Sequence, residues 1–571
     1  MHKRWILQPV DENIVQQLTQ DLNVNAVLCR LIALRGINTF DAAKRFFRPA
    51  LSELHDPFLM HDMDKAVSRL EAAIAQQERV LLYGDYDVDG TTSVALMHGC
   101  LENHLENLDI YTPDRYKEGY GISNEGVEYA HQNGITLVIA MDCGIKAVSQ
   151  IALANEYGID FIICDHHVPD DVLPAAVAIL DPKRSDCVYP FKELSGCGIA
   201  FKLAQAYLQK NNLPVETIVK TLDLLVTSIA CDVVSMRDEN RVLAYFGLEQ
   251  LNTDPRHGIR ALIEERGKTF PVDINDLVFG IGPLINAAGR LADARLAVRL
   301  LLAADPETAK DLAQQLTQQN NLRREVEVDI MKLAHELAQK DFDAGRKSLV
   351  LFSPDWHKGV LGIVAARIAE QWHRPTVILA EMEGKIMGSV RTVAEFDVYK
   401  VLHSCQDLLV SFGGHAFAAG LVLLPENLEA FSARFEAAAQ ADISPAMMIP
   451  ELHISAMLPP SAITDSFYNT LKQFAPFGPD NMRPVFLALN LKEEGLVRAS
   501  ANGAHLLVGI RLPDGKVMQG VAFGLGHLLE DFRYANFDMC YVLDESTYNG
   551  KTSLRFQVRD LKIKASQAYE V

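Results

Sequence analysis

The pattern of apolar and polar positions changes character several times along the chain. Up to about residue 75, apolar side chains recur at helical spacing, most clearly over 15–34, and Pro49 and Pro57 interrupt the pattern beyond that stretch. From about residue 78, short apolar runs take over: 80–83 (VLLY), 108–111 (LDIY), 137–141 (LVIAM), 161–164 (FIIC) and 177–180 (VAIL), with amphipathic stretches between them. Strand and helix in turn predict a parallel sheet joined by right-handed crossovers. A long polar helix with few breakers is expected over about 306–340, as a connector. A second α/β unit comes next, with runs at 348–352 and 376–380, a helix over about 362–371, and the segments 384–391 (GKIMGSVR), 412–415 (FGGH) and 418–420 (AAG). From about 452 the runs are short and β-rich, which suits a small barrel or sandwich. The expected division is an N-terminal helical segment (1–75) packed on a parallel-sheet domain (76–300), then the connector (301–344), the smaller α/β domain (345–450) and the β-unit (452–571).

Composition limits what this architecture does. A length of 571 residues fits three or four domains, and 49% hydrophobic residues supply their cores. No run approaches the ~18 apolar residues of a membrane span, and the first ten residues do not read as a signal peptide. Nine cysteines, an odd number without a CxxC pair, argue against structural zinc or a disulfide framework and for the reducing cytoplasm. The net charge of −20 argues against a protein that coats DNA with bulk positive charge. The acid excess lies outside the β-unit, where twelve basic and twelve acidic residues balance.

Acids collect where chemistry is expected. Every apolar run of the first α/β unit ends in polar residues, and open α/β sheets bind ligands beyond the carboxyl ends of their strands. Asp85, Asp87 and Asp89 alternate between Gly84 and Gly90, so an extended segment points all three carboxylates to one face, where without a cation they repel one another. Asp142 follows the third run, Asp165-His166-His167 the fourth, and Asp232 an apolar run that ends at Cys231. A lone acid at a helix start is usually a cap, and a lone histidine is usually a satisfied core group. Four such clusters at corresponding ends point instead to a metal site. Its carboxylate-rich donors suit Mn²⁺ or Mg²⁺, and two such ions can activate a water for phosphoester hydrolysis.

These segments resemble the motifs of the DHH phosphoesterase superfamily: GDYDVDG at 84–90, MDCG at 141–144, DHH at 165–167 and ACDVV at 230–234. Within it, PDRYKEGYG at 113–121, GPLINAAGRL at 282–291 and FAPFGPDN at 474–481 resemble the bacterial RecJ exonuclease family, and FGGH with AAG resembles the DHH-associated domain. The resemblance spans about 30–565. Tyr83 stands where smaller superfamily members often carry a histidine, which implies a thinner protein shell for one ion.

The resemblance implies a DHH domain, a DHH-associated domain and a C-terminal OB-fold. The implied activity is metal-dependent 5′→3′ hydrolysis of single-stranded DNA to mononucleotides, in recombination and repair. It also implies a monomer and, as partners, a single-strand-binding protein and a helicase. Asp87, Asp89 and Asp142 would hold one Mn²⁺ or Mg²⁺. Asp142, His166, Asp232 and either Asp87 or Asp89 would hold a second, with Asp142 bridging. Asp85 and Asp165 would orient these ligands, and His167 would contact the scissile phosphate. Arg115, Asn286, Arg290, Ser389, Arg391 and His415 would bind phosphate and DNA, in a channel between the α/β domains roofed by the connector. In the β-unit, Arg483, Phe486, Arg498, Arg511, Lys516, Phe523 and Arg555 are candidates for gripping a single strand. Two competing readings remain: a DHH phosphodiesterase acting on short oligoribonucleotides or cyclic dinucleotides, and a non-enzymatic replication scaffold.

Overall fold

The computed structural model describes residues 3–291, 293–393, 395–532, 535–548 and 551–564. They form two compact units, one of Leu51–Ile449 and one that joins Met1–Ala50 to Pro450–Val571.

The larger unit is built on a five-stranded, all-parallel sheet. Its spatial order is Leu108–Tyr111, Val80–Gly84, Leu137–Met141, Asp160–Cys164, Ala178–Leu180. The central strands are apolar along their length because helices cover both faces. Alternate residues sort between two cores. Val80, Leu82, Leu137, Ile139 and Met141 face the helices Met63–Gln76, Val88–Leu101 and Gly196–Lys210. Leu81, Tyr83, Val138 and Ala140 face Asn124–Gln132 and Val148–Glu156. The chain builds the first strand, crosses to one side for the second and returns to the other side for the third. The order therefore reverses between Val80–Gly84 and Leu137–Met141. At such a switch point the loops diverge and leave a crevice at the carboxyl ends of the strands.

The connector is a single helix, Pro306–Asp343, started by Asp305, whose carboxylate accepts the Thr308 N–H, with proline in the first turn. Along its length it packs on Gly282–Leu291 and on Leu361–Trp372. Between these contacts lies a buried ion pair, Arg323 Nη1 to Glu327 Oε2 at 2.8 Å, with Arg367 reaching Glu327 Oε1 at 2.5 Å. The second α/β domain is a mixed sheet in the order Leu409–His415, Ala418–Leu423, Lys385–Arg391, Thr376–Met382, Leu349–Phe352.

The smaller unit corrects the expectation that residues 1–75 pack as one segment on the parallel-sheet domain. Only the part after residue 50 does so. The apolar faces of Glu12–Leu22 and Ala26–Ala33 (Val15, Leu18, Leu28, Leu31, Ile32) share a core with Phe474, Phe486, Phe537 and Phe556 of the β-unit. Arg4–Leu7 pairs in parallel with Glu451–Ile454. The helical spacing was readable, but the partner of an apolar stripe is not written in its period. The β-unit is a seven-stranded sheet whose longest pair is Asn536–Tyr548 with Lys551–Lys564. Among the described residues, no helix is long and apolar enough to cross a membrane.

Candidate metal centre

Beyond the switch point the acids meet. Asp87 caps the helix Val88–Leu101, its Oδ1 accepting the Gly90 N–H at 3.1 Å. Gly90 is required there, since a Cβ would lie 2.3 Å from the Asp85 carbonyl oxygen. Asp142 follows its strand in a left-handed conformation (φ 61°), fixed by its N–H on the Cys164 carbonyl (2.9 Å) and by Tyr120, whose hydroxyl donates to the Asp142 carbonyl (3.0 Å). Asp89 is held from below by the Gly196 N–H (2.6 Å), the Cys197 N–H (2.8 Å) and the Ser228 hydroxyl (2.6 Å). Asp232 ends the helix Leu222–Cys231, where the negative end of the helix dipole disfavours a carboxylate, and Val233 beside it is also left-handed (φ 61°).

The histidines are oriented by different means. His166 Nδ1 lies 3.1 Å from the Leu194 carbonyl, so it carries the proton and leaves the Nε2 lone pair facing the acids. That atom is 3.2 Å from Asp142 Oδ1, 3.7 Å from Asp232 Oδ2 and 3.8 Å from Asp89 Oδ2. Burial keeps His166 neutral by lowering its pKa. His167 Nδ1 bonds Asp165 Oδ1 at 2.7 Å, and Asp165 also accepts the N–H groups of Ile145, His166 and His167. Burial works against the charge on both partners, but their bond and mutual attraction prevail. Asp165 is held down at about 2 and His167 is raised.

Donor atoms converge in three overlapping groups, each within 4.8 Å: Asp85, Asp87, Asp142; Asp142, His166, His167; and Asp89, His166, Asp232. Asp142 and His166 each belong to two. Asp85 Oδ1, His166 Nε2 and Asp232 Oδ2 are buried with no hydrogen-bond partner. Burial and then neighbouring carboxylates raise the pKa of Asp85, Asp142 and Asp232 well above the usual range. Orphaned, mutually repelling oxygens beside one imidazole lone pair fit hard divalent cations. Asp85 stands among the donors rather than beneath them. Tyr83 turns away, its hydroxyl donating to the Gly121 carbonyl (3.0 Å).

The basic residues approach from other elements. Arg115 lies over the Tyr86 ring (4.8 Å). Asn286 and Arg290 sit one turn apart on Gly282–Leu291, and Arg290 Nη1 reaches the Gly359 carbonyl (3.3 Å). Arg391 donates to the Val390 carbonyl (2.7 Å) and stands 3.4 Å from Ser389 Oγ. Burial, then the charge of Arg115, lowers the pKa of Arg290 to about 10, and the same two causes act in the same direction on Arg391. Cations crowded this way favour an anion. His415 lines a cavity of about 350 Å³ together with Tyr120, Lys146 and His167.

The β-unit candidates separate. Phe486 is fully buried against Phe467 and Tyr541, so it is core and not a stacking surface. Arg483 and Arg555 pair with Asp544, Arg511 with Glu494, and Lys516 with Asp514. Phe523 and Arg498 are exposed. Sequence reasoning missed Tyr120, Leu194 and Ser228, which act through a carbonyl or a hydroxyl and carry no motif chemistry of their own.

Known proteins match along most of the chain. Family models match for the DHH family N-terminal domain (79–229), the DHHA1 domain (345–441) and the RecJ OB domain (454–560). The chain is 33% identical to the single-stranded-DNA-specific exonuclease RecJ of Bacillus subtilis (strain 168), over 100% of this chain and 72% of the relative. It is 31% identical to that of Escherichia coli (strain K12), over 94% of this chain and 95% of the relative. A crystal structure of RecJ in complex with Mn²⁺ from Thermus thermophilus superposes with a TM-score of 0.84 at 28% identity, covering 98% of this chain and 79% of that one. In sequence, domain content and fold, the chain belongs to the RecJ family of single-stranded-DNA-specific exonucleases.

Proposed function

We infer that this chain is a metal-dependent exonuclease that degrades single-stranded DNA from the 5′ end to mononucleotides. The observation that carries the reading is the convergence of three partnerless buried donors, on Asp85, His166 and Asp232, around Asp142 at the switch point of the sheet.

Asp85, Asp87 and Asp142 are assigned to one ion, and Asp142, Asp89, His166 and Asp232 to the second. Two Mn²⁺ or Mg²⁺ ions bound there supply an activated water and neutralise charge developing on the scissile phosphate. The Leu194 carbonyl keeps the His166 lone pair on the donor side. Asp165 favours the protonated form of His167, which can donate to a phosphate oxygen. Arg115, Arg290 and Arg391, with Asn286, Ser389 and His415, are assigned to the DNA backbone and its 5′ phosphate, where arginine's fork suits bidentate contact. A channel between the two α/β domains admits one strand, and the β-unit grips it through exposed groups such as Phe523 and Arg498. A single-strand-binding protein and a helicase that present unwound strand are suitable partners. Nine cysteines outside any disulfide suit the reducing cytoplasm.

The test follows product lengths over time from 5′- and 3′-labelled single strands with Mn²⁺. The expected result is mononucleotide release from the 5′ end, with duplex spared. Asp142→Ala lowers the rate by about 10⁴-fold or more while leaving the circular dichroism spectrum unchanged. Cleavage confined to two- or three-nucleotide substrates supports the short-oligonucleotide alternative instead, and full activity of Asp142→Ala refutes the site.

A further inference from the structure

The cavity beside the metal centre holds about 350 Å³, within the size range of small-ligand sites. Buried Ile122 and Ile145 give it an apolar lining, and Lys146, Gln150, His167 and His415 add polar groups. Lys146 pairs with Asp170 at 2.9 Å, but both side chains face solvent, so little is lost when the pair opens.

Tyr120 lines the same cavity. Its hydroxyl is anchored on the Asp142 carbonyl (3.0 Å), and its ring meets that of His167 edge-on (5.5 Å). The residue is nevertheless 54% exposed, so much of the ring is uncovered. A tyrosine has few torsions to freeze, and here the hydroxyl bond already fixes them. An open aromatic face held in this way is a stacking surface for a base.

The two sheets set the direction in which a strand would run. In the parallel sheet, Arg115 follows the edge strand Leu108–Tyr111, and acids follow the next two strands. Ile145, Lys146 and His167, which line the cavity, lie beyond the third and fourth strands. In the second domain, Arg391 and His415 both pair with Ala418, on opposite sides, which puts them about 10 Å apart. The arginines gather at the far end. Arg290 Nη1 reaches the Gly359 carbonyl (3.3 Å), and a Cβ on nearby Gly362 would lie 3.1 Å from Arg391 Nη2. A 5′ phosphate on the arginines and a scissile phosphate on the acids leave the cavity for the nucleotide that follows.

We propose that this cavity is the site of the second nucleotide of the strand, on the 3′ side of the scissile bond, with its base stacked on Tyr120. Gln150 offers both a donor and an acceptor, so it serves any base edge, and Lys146 faces the next phosphate. The stack positions the scissile phosphate and makes cleavage sensitive to a base missing one step ahead of the cut. The proposal rests on the exonuclease reading above.

The test measures single-turnover release of the first nucleotide from 5′-phosphorylated single strands with Mn²⁺. The strands are intact or carry one abasic residue at the first, second or sixth position, and the enzymes are full-length wild type, Tyr120→Phe and Tyr120→Leu. An abasic second position is expected to slow the wild type about 10- to 100-fold, the worth of one base on an aromatic ring, and an abasic sixth position by less than about twofold. Tyr120→Phe keeps the ring and should keep this ratio, whatever the loss of the hydroxyl does to the rate itself. Tyr120→Leu should cleave the intact strand and the second-position abasic strand at one reduced rate. A wild-type rate unchanged by the second-position lesion, or lowered more by the first-position lesion, overturns the proposal. So does a Tyr120→Leu ratio equal to that of the wild type. The wild-type series decides alone where Tyr120→Leu is inactive through its contact with Asp142. Absence of cleavage of the intact strand by the wild type overturns the exonuclease reading instead.

Discussion

A methyl group on Gly196 would sit 2.6 Å from Asp142 Cβ and 2.9 Å from its Cα, closer than atoms approach without displacement. Gly196 also donates its N–H to Asp89, so one backbone position spaces two of the acids. Gly196→Ala is expected to lower kcat by about 100-fold, the effect of moving a ligand by about 1 Å, at a stability cost of about 1–3 kcal/mol. Rates and urea unfolding of the same samples check both. Asp181 gives a pH prediction. Burial pushes its carboxyl up to about 7, and Oδ2 lacks a partner. The folded pKa lies above the unfolded value near 4, so its contribution to stability is full below about pH 4 and is lost as pH rises through 7. Asp181→Asn cannot ionise and keeps the acceptor for the Lys183 N–H. Relative to wild type, the variant should gain about 1–3 kcal/mol between pH 5 and pH 8 in urea unfolding. Parallel pH profiles would show that Asp181 is not the titrating group. At this scale the sequence exposed the acids and the DHH histidines, because carboxylates in alternation have few bland uses. It hid Tyr120, Leu194 and Ser228, whose hydroxyls and carbonyl become specific only when strands bring them to Asp142, His166 and Asp89.

Among the elements, the strands and the connector were legible because each carries its own period. Continuous apolar runs such as Val80–Gly84 read as strands covered on both sides, and the connector lacks breakers over 38 residues. What each element packs against was not legible. Val15 to Ile32 display the same helical stripe whichever core receives them, and only the fold assigns them to Phe474 and the β-unit. That assignment makes a prediction. A fragment starting at residue 450, made without residues 1–50, exposes the apolar surface that Leu18, Leu28 and Leu31 cover. It should bind a hydrophobic dye and lack a near-ultraviolet dichroism signal, and adding a peptide of residues 1–50 should restore the signal. A fragment that is folded alone would place the N-terminal helices outside the core. Phe486 illustrates the same limit. Alternation in a strand marks two faces without saying which is wet, and this ring points inward.

At the scale of the whole molecule, the net charge of −20 is unevenly spent. Part of it is the acidic cluster that divalent cations would neutralise, while Arg115, Arg290 and Arg391 form a local basic region. A composition total cannot report such segregation, which depends on strands far apart in sequence reaching one crevice. The joining of residues 1–50 to the unit that begins at Pro450 also has a consequence in time. During synthesis at about 5–20 residues per second, the N-terminal helices emerge roughly 20–80 seconds before the β-unit that completes their core, because about 400 residues intervene. For that interval Leu18, Leu28, Leu31 and Ile32 lack the β-unit side chains that complete their core. The nascent chain therefore carries an incompletely buried N-terminal segment while the catalytic unit folds behind it, and that segment's core closes only when the last strands arrive.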